Sequence, residues 1–284
     1  MTRQSYAVAQ PCFVRAGTGF EPTPATLSGW GPNMVAGPPV LGLLARTIEV
    51  DFGDSDFFAA RLTADLFRPV RVERTFVGSR IIRWGNRIRL VEAELIQSGE
   101  PVARATAVFY RKSRNSPGQR WADPRVPKPP ASTEYPDARL VGTSGDDSVW
   151  VPLPCDGPPW SGAGRKRLWA TGWSVIDGEP PTPFARTAMV SDLTSLVANS
   201  GTAGVGYING DVTLALTRLP TGNALGLEAR THHACDGIAV SSATLFDRDG
   251  VFGECTATGL ANEPRGASAQ TPDLESAEPG NRVR

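Results

Sequence analysis

One carboxylate, Asp192, sits in the middle of an apolar stretch, residues 184–199, FARTAMVSDLTSLVAN. Met189, Leu193, Leu196 and Val197 recur there at helical spacing, so Asp192 is expected on a helix with a buried stripe. A carboxylate in that setting can act as a general base if burial raises its pKa toward the working pH. The alternative is a polar position that faces solvent or bonds a nearby backbone amide. The two histidines, His232 and His233, lie in THHACDG beside Cys235 and Asp236. Adjacent strand side chains point to opposite faces, so His233 and Cys235 could share one. Two ligands are too few for zinc, and no metal is expected. Arg165-Lys166-Arg167 is a small basic cluster that could meet phosphate, or simply be a solvated strand entry. Cys12, Cys155, Cys235 and Cys255 are far apart and form no C-x-x-C pair, so they read as free thiols of a cytoplasmic protein.

The elements that must position these residues follow two patterns. Residues 34–50 form a first apolar helix, with Pro38 and Pro39 in its opening turn, where an amide hydrogen would lack an intrahelical partner anyway. Four strands are expected after it, at 57–69, 72–84, 87–96 and 102–110. A short strand or hairpin is expected near 6–20, and a turn at 29–32. Residues 113–163 are rich in proline and read as a linker or surface excursion. Strand-like composition resumes at 165–176. The helix at 184–199 is followed by strands at 207–219, 224–234, 237–247 and 251–261, with a hairpin turn at Asp247-Arg-Asp-Gly250. The tail beyond 262 has almost no large apolar residue and is expected to be disordered.

Charge and length limit the function. Lysine plus arginine and aspartate plus glutamate each total 29, so no basic excess favours nucleic acid. No run reaches the ~18 apolar residues of a membrane span, and the N-terminus lacks the apolar core of a secretion signal. The chain also repeats itself. An offset of 150 pairs Thr63 with Thr213, Leu66 with Leu216, Arg68 with Arg218, Ala93 with Ala243, Leu95 with Leu245 and Thr106 with Thr256. One offset held without a gap implies a duplicated helix-plus-sheet unit, with the two sheets joined edge to edge.

This order resembles the double hotdog fold, an α+β architecture of two antiparallel sheets, each wrapped around a long central helix. More closely, the chain resembles the acyl-CoA thioesterase II-like family over about residues 12–112 and 165–262. The resemblance rests on Val40-Leu-Gly42, Arg61-Leu-Thr-Ala-Asp-Leu-Phe-Arg-Pro69, Leu90-Val-Glu-Ala93 with Ala103-Arg-Ala-Thr106, Ser191-Asp-Leu-Thr194 and Asp247-Arg-Asp-Gly250. It implies an N-terminal hotdog over 1–112, a linker over 113–164, a C-terminal hotdog over 165–262 and a tail over 263–284.

In that family an aspartate, a polar strand residue and a glutamine of the second hotdog hold the attacking water. The aspartate carries over to Asp192, and the strand residue, counted back from Arg218, to Asn209. The glutamine position falls on Ala257. The first-half equivalents are Gly42, Ala59 and Ala107, all inert, so the water would be held by the second half alone. Asn209 offers both donor and acceptor atoms. Its plainer role is that of a turn residue in Asn-Gly-Asp.

Hotdog enzymes commonly bind the oxyanion with backbone amides near a helix N-terminus. Where the family has Gly-Gly-Gln, this chain has Gly37-Pro38-Pro39, which leaves the amides of Val40 and Leu41. The resemblance implies hydrolysis of an acyl-CoA, with Arg165, Lys166 and Arg167 meeting the coenzyme's phosphates. No cofactor is expected, and the hotdog sheets could pair further into a homo-oligomer. The alternative is a weakly active or inactive acyl-CoA or acyl-chain binding protein, favoured by Ala257 and the two prolines. A hotdog hydratase would need a histidine a few residues after the aspartate, and none is present.

Overall fold

The computed structural model describes residues 10–131, 138–145, 149–153 and 162–265. The first half runs β1 (Phe13–Ala16), β2 (Gly19–Pro22), α1 (Gly37–Phe52), β3 (Phe57–Asp65), β4 (Phe76–Trp84), β5 (Ile88–Gln97) and β6 (Glu100–Arg111). Next come β7 (Leu140–Ser144), β8 (Val151–Pro152), β9 (Lys166–Thr171), α2 (Pro183–Asp192), α3 (Thr194–Asn199) and β10 (Ser200–Gly201). The chain closes with β11 (Gly204–Asn209), β12 (Asp211–Leu216), β13 (Ala224–Cys235), β14 (Ile238–Asp247) and β15 (Gly250–Arg265).

β1 and β2 pair in a two-stranded sheet of their own, and the other strands join into one antiparallel sheet in the order β4-β5-β6-β3-β12-β15-β14-β13-β9-β7-β8, with β11 added along β15 and β10 along β11. The halves meet where β3 pairs with β12. There Thr63 faces Thr213, its own repeat equivalent, and their hydroxyls are 3.1 Å apart. An antiparallel pair in which equivalent residues face each other carries a local two-fold axis. The registers repeat as well. Ala93 faces Ala105 as Ala243 faces Cys255, and both β5–β6 and β14–β15 shift register after Leu95 and Leu245. The pairing hides one open edge of each half.

Inside the sheet, α1 packs against α2. This explains why α1 is apolar on nearly every side of its early turns, with Leu41, Leu43, Leu44 and Ile48 fully buried. Each such side chain contributes roughly 1.5–3 kcal/mol by leaving water. The helices approach closely at Gly42, where an added Cβ would lie 2.5 Å from Met189 Cγ. Gly42 is the repeat equivalent of Asp192, so the first half has no room there for a carboxylate.

Several boundaries differ from the sequence expectation. The helix at 184–199 is broken after Asp192. The Leu193 amide bonds the Val190 carbonyl at 3.0 Å, three residues back, and the regular ladder resumes with Val197 bonding Leu193. The strand at 207–219 is broken at Gly210, whose amide bonds Thr258 while its carbonyl accepts the Leu66 amide. The proline-rich excursion is not wholly a linker, because β7 lies within it and adds to the sheet edge beside β9. The last strand runs on to Arg265, past the expected start of the tail at 263, and residues 266–284 lie outside the described residues. Cys155 also lies outside them, while Cys12 and Cys255 are buried free thiols and Cys235 is an exposed one.

The hairpin at Asp247 is a structural cap. Its fully buried carboxylate takes a two-pronged contact from Arg218, at 2.6 and 2.8 Å, and accepts the amides of Thr221 and Asp249. Burial pushes this carboxyl up, but Arg218 and the two amides outweigh it and hold it below the ordinary range. Asp247→Ala removes the acceptor for all of them at once and is expected to cost about 3–5 kcal/mol, read by urea unfolding. A loss below about 1 kcal/mol would show that the cap is dispensable. Gln97, the repeat equivalent, accepts the Arg71 amide in the same way, at 2.9 Å.

Candidate active site

Asp192 ends α2 at the point where the helix tightens, and it is 8% exposed. Asn209 ends β11 just before the Gly210 break. Its Nδ2 donates to Asp192 Oδ1 at 2.9 Å. Asp211 opens β12 and accepts both the amide and the hydroxyl of Thr258, which fixes the short Asn-Gly-Asp crossing against β15. The backbone break thus does local work: it turns Asn209 toward the helix while Asp211 pins the strand that follows.

Burial pushes the Asp192 carboxyl from its ordinary 3.8 up to about 6, and the Asn209 amide partly opposes the rise. Stabilisation of the charged form by one donor falls short of the desolvation penalty. The result is a carboxylate that is ionised at neutral pH and more basic than an exposed one.

The other half supplies the opposite wall. Gly37, the first residue of α1, lies against the Asp192 carboxylate so closely that an added Cβ would sit 2.2 Å from Oδ2. A helix leaves its first amides without intrahelical acceptors. Here the Ala36 amide is used by the Thr26 carbonyl at 2.8 Å, and Pro38 and Pro39 have none to give. Among the described residues, Gly37 therefore holds the one open amide of that turn. Val40 and Leu41, expected to offer theirs, are the fourth and fifth helical residues, whose amides donate to carbonyls four residues back. The two prolines remove donors from the first turn, and the helix itself consumes the next two amides.

Two cavities meet at this point. One, of about 150 Å³, extends toward Arg139, Trp173 and Leu196. The other, of about 260 Å³, extends between the halves toward Arg68, Val70 and Leu260. Gly37, Asp192 and Asn209 line both, as do Ser28 and Trp30. The last two belong to a loop held by the Ser28 amide on the Met34 carbonyl, at 2.8 Å. The local pattern of residues 29–32 predicts only a turn, and nothing in it announces that Trp30 lines the same cavities as a residue of the other half.

Ala257 is buried on β15, and its cross-strand partner is Ser241. It lies two residues from Gly259, the partner of Asn209, and so shares the sheet face of Asn209. It offers that face a methyl group. The basic cluster lies elsewhere. Arg165 and Arg167 approach Glu228 at 3.7 and 3.5 Å, and Lys166 turns inward to donate to the carbonyls of Gly162 and Gly164. Arg165 and Lys166 line a third cavity that does not include Asp192. No group of three or more metal-ligating side chains occurs among the described residues, and His232 instead meets Asn199 Oδ1 at 3.0 Å. No helix among them is long and apolar enough to cross a membrane.

Residues 26–110 match the family model described as acyl-CoA thioesterase N-terminal domain, and residues 124–261 the one described as acyl-CoA thioesterase C-terminal domain. No curated protein matches the sequence. Among solved structures, the chain is similar to the acyl-CoA thioesterase II TesB2 from Mycobacterium marinum, at 18% identity and a TM-score of 0.58, covering 80% of this chain and 91% of that one. The tesB protein of Mycobacterium avium subs paratuberculosis gives 14% identity and a TM-score of 0.58, over 88% and 95% of the two chains. A protein with a hot dog fold from Alicyclobacillus acidocaldarius gives 16% and 0.62, over 93% and 100%. At these identities the structures establish the double hotdog fold, and the paired domain models carry the family.

Proposed function

Since the chain belongs to the acyl-CoA thioesterase family, with its N-terminal and C-terminal domains in tandem, we propose that it hydrolyses acyl-CoA thioesters with a water held by Asp192 and Asn209. The observation that carries this reading is the buried Asp192 carboxylate at the meeting of two cavities, bonded to Asn209 and pressed against the open helix turn at Gly37.

The steps follow from those groups. The thioester carbonyl sits at the junction, with the acyl part in one cavity and the coenzyme arm in the other. Asp192 takes a proton from water as the oxygen adds to the carbonyl carbon. The new oxyanion receives the Gly37 amide, which lies at the positive end of α1. Collapse breaks the carbon–sulfur bond, and the proton on Asp192 returns to the departing thiolate. Asn209 keeps the carboxylate oriented throughout. The products are a carboxylic acid and free coenzyme A, and no cofactor takes part.

The test is release of thiol from a panel of acyl-CoAs. Asn209→Ala is expected to lower kcat about tenfold or more with little change in KM, because it loosens the base rather than the substrate site. Turnover unchanged in that variant would remove Asn209 from the mechanism. A second reading, acyl-CoA binding without efficient hydrolysis, is favoured by the methyl of Ala257 and by the single amide left at the start of α1. Under that reading the same acyl-CoAs bind, yet thiol release stays at the background rate.

A further inference from the structure

Two residues that line the smaller cavity carry a buried nitrogen donor with no hydrogen-bond acceptor among the described residues: Arg139 Nε and Trp173 Nε1. The Arg139 guanidinium carbon lies 5.3 Å from the centre of the Trp173 ring, so the two donors belong to one stacked pair. No carboxylate pairs with Arg139 among the described residues, whereas Arg46, Arg80, Arg104 and Arg218 all have such partners. Buried donors in folded proteins are almost always satisfied, so two orphans on one wall call for a reason. The same cavity is lined by apolar Leu27, Pro38, Leu140 and Leu196 and by polar Ser28, Ser195, Asn209 and Asp192.

We propose that Arg139 and Trp173 form a subsite for an oxyanion group carried by the thioester substrate. That group is either a carboxylate at the far end of a short acyl chain or a phosphate of the coenzyme arm. A plain hydrocarbon chain would cover the guanidinium without offering an acceptor, which is unfavourable. An oxyanion accepts from the guanidinium in a charge-assisted bond and from the indole N–H as well. The subsite and Asp192 line the same cavity, so a single extended ligand can reach both. The inference rests on the acyl-CoA reading above and adds the chemistry of the substrate's charged end.

The experiment measures binding, by calorimetry, of thioethers that cannot be hydrolysed. S-carboxybutyl-coenzyme A is compared with uncharged S-pentyl-coenzyme A, and both with the same thioethers of N-acetylcysteamine, which carries no phosphate. If the acyl end is held, the carboxylate probe binds the wild type about tenfold more tightly than its pentyl twin. If the phosphate is held, the coenzyme A probes outbind the N-acetylcysteamine ones by a margin that Arg139 supplies. In either case Arg139→Gln erases the preference, Arg139→Lys keeps part of it, and Trp173→Phe weakens only the preferred probe. Should Arg139→Gln, melting as the wild type does, keep every wild-type preference, the subsite is overturned while the acyl-CoA reading stands. If the wild type binds no coenzyme A probe and releases no thiol, the acyl-CoA reading itself fails, and the subsite with it.

Discussion

Asp192→Asn is expected to lower thioester turnover by about 10²–10⁴-fold and at the same time to raise the melting temperature at neutral pH. Asparagine has nearly the same shape, and its carbonyl oxygen can still accept from Asn209 Nδ2, whose present distance to Asp192 Oδ1 is 2.9 Å. It cannot take a proton from water, so the chemical step loses its base. The stability gain follows from the raised pKa. The carboxyl holds its proton up to about 6 in the folded chain, against an ordinary 3.8. The folded state therefore binds that proton more tightly than the unfolded state does. The resulting stability is fully present below the ordinary value, falls as pH rises, and is gone above about 6. At neutral pH the buried charge is a burden of about 3 kcal/mol, which asparagine does not carry. Melting curves of the two proteins on either side of that pH check the sign. A variant that melts lower than wild type at neutral pH would mean that burial does not strain the carboxylate. Wild-type turnover in the variant would remove Asp192 as the base. In the wild type, kcat should climb with pH through about 6 as the carboxylate ionises.

Gly37→Ala is expected to cost about a hundredfold in kcat, although it adds one methyl group and keeps the backbone amide. The new Cβ would lie 2.2 Å from Asp192 Oδ2, 2.4 Å from Cγ and 2.5 Å from Oδ1. No pair of non-bonded atoms tolerates that spacing, so either the carboxylate turns away from Asn209 or the start of α1 moves off. Both displace the base from the junction of the two cavities. Overpacking of this kind also lowers stability, by about 1–3 kcal/mol. Gly206→Ala is the control, because its added Cβ would meet nothing within 4 Å. A Gly37→Ala protein that turns over like the wild type would show that α1 and Asp192 need not be in contact. Loss of folding alone is told apart by its effect on melting, and the Gly206 variant sets the baseline for a harmless substitution.

Much of the architecture was legible along the chain because repetition is a linear property. The offset of 150 residues needs no folding to be seen, and it carries into space as matching registers in β5–β6 and β14–β15. The apolar stripe of residues 184–199 followed from periodicity in the same way. Asp192 stood out because a lone carboxylate on such a stripe is unusual, whereas Asn209 came from the family resemblance, which implies a polar strand residue at the position counted back from Arg218. The break at Leu193 was not legible: residues on both sides favour a helix, and only the local hydrogen bonding marks where it tightens.

The sequence by itself determined that there are two copies of one unit, that only the second keeps a carboxylate at the key helix position, and that the start of α1 is short of amides. These are properties of residue type and order. Only the tertiary structure decided that Gly37 of the first copy presses on Asp192 of the second, that Ser28 and Trp30 lie over the same junction, and that Arg139 and Trp173 stack in the cavity beside it. It also set Arg165, Lys166 and Arg167 apart from that junction. The physical reason is that such contacts join residues far apart in the chain, brought together when β3 and β12 pair and α1 docks on α2. No local pattern encodes which residues of one copy will face which residues of the other.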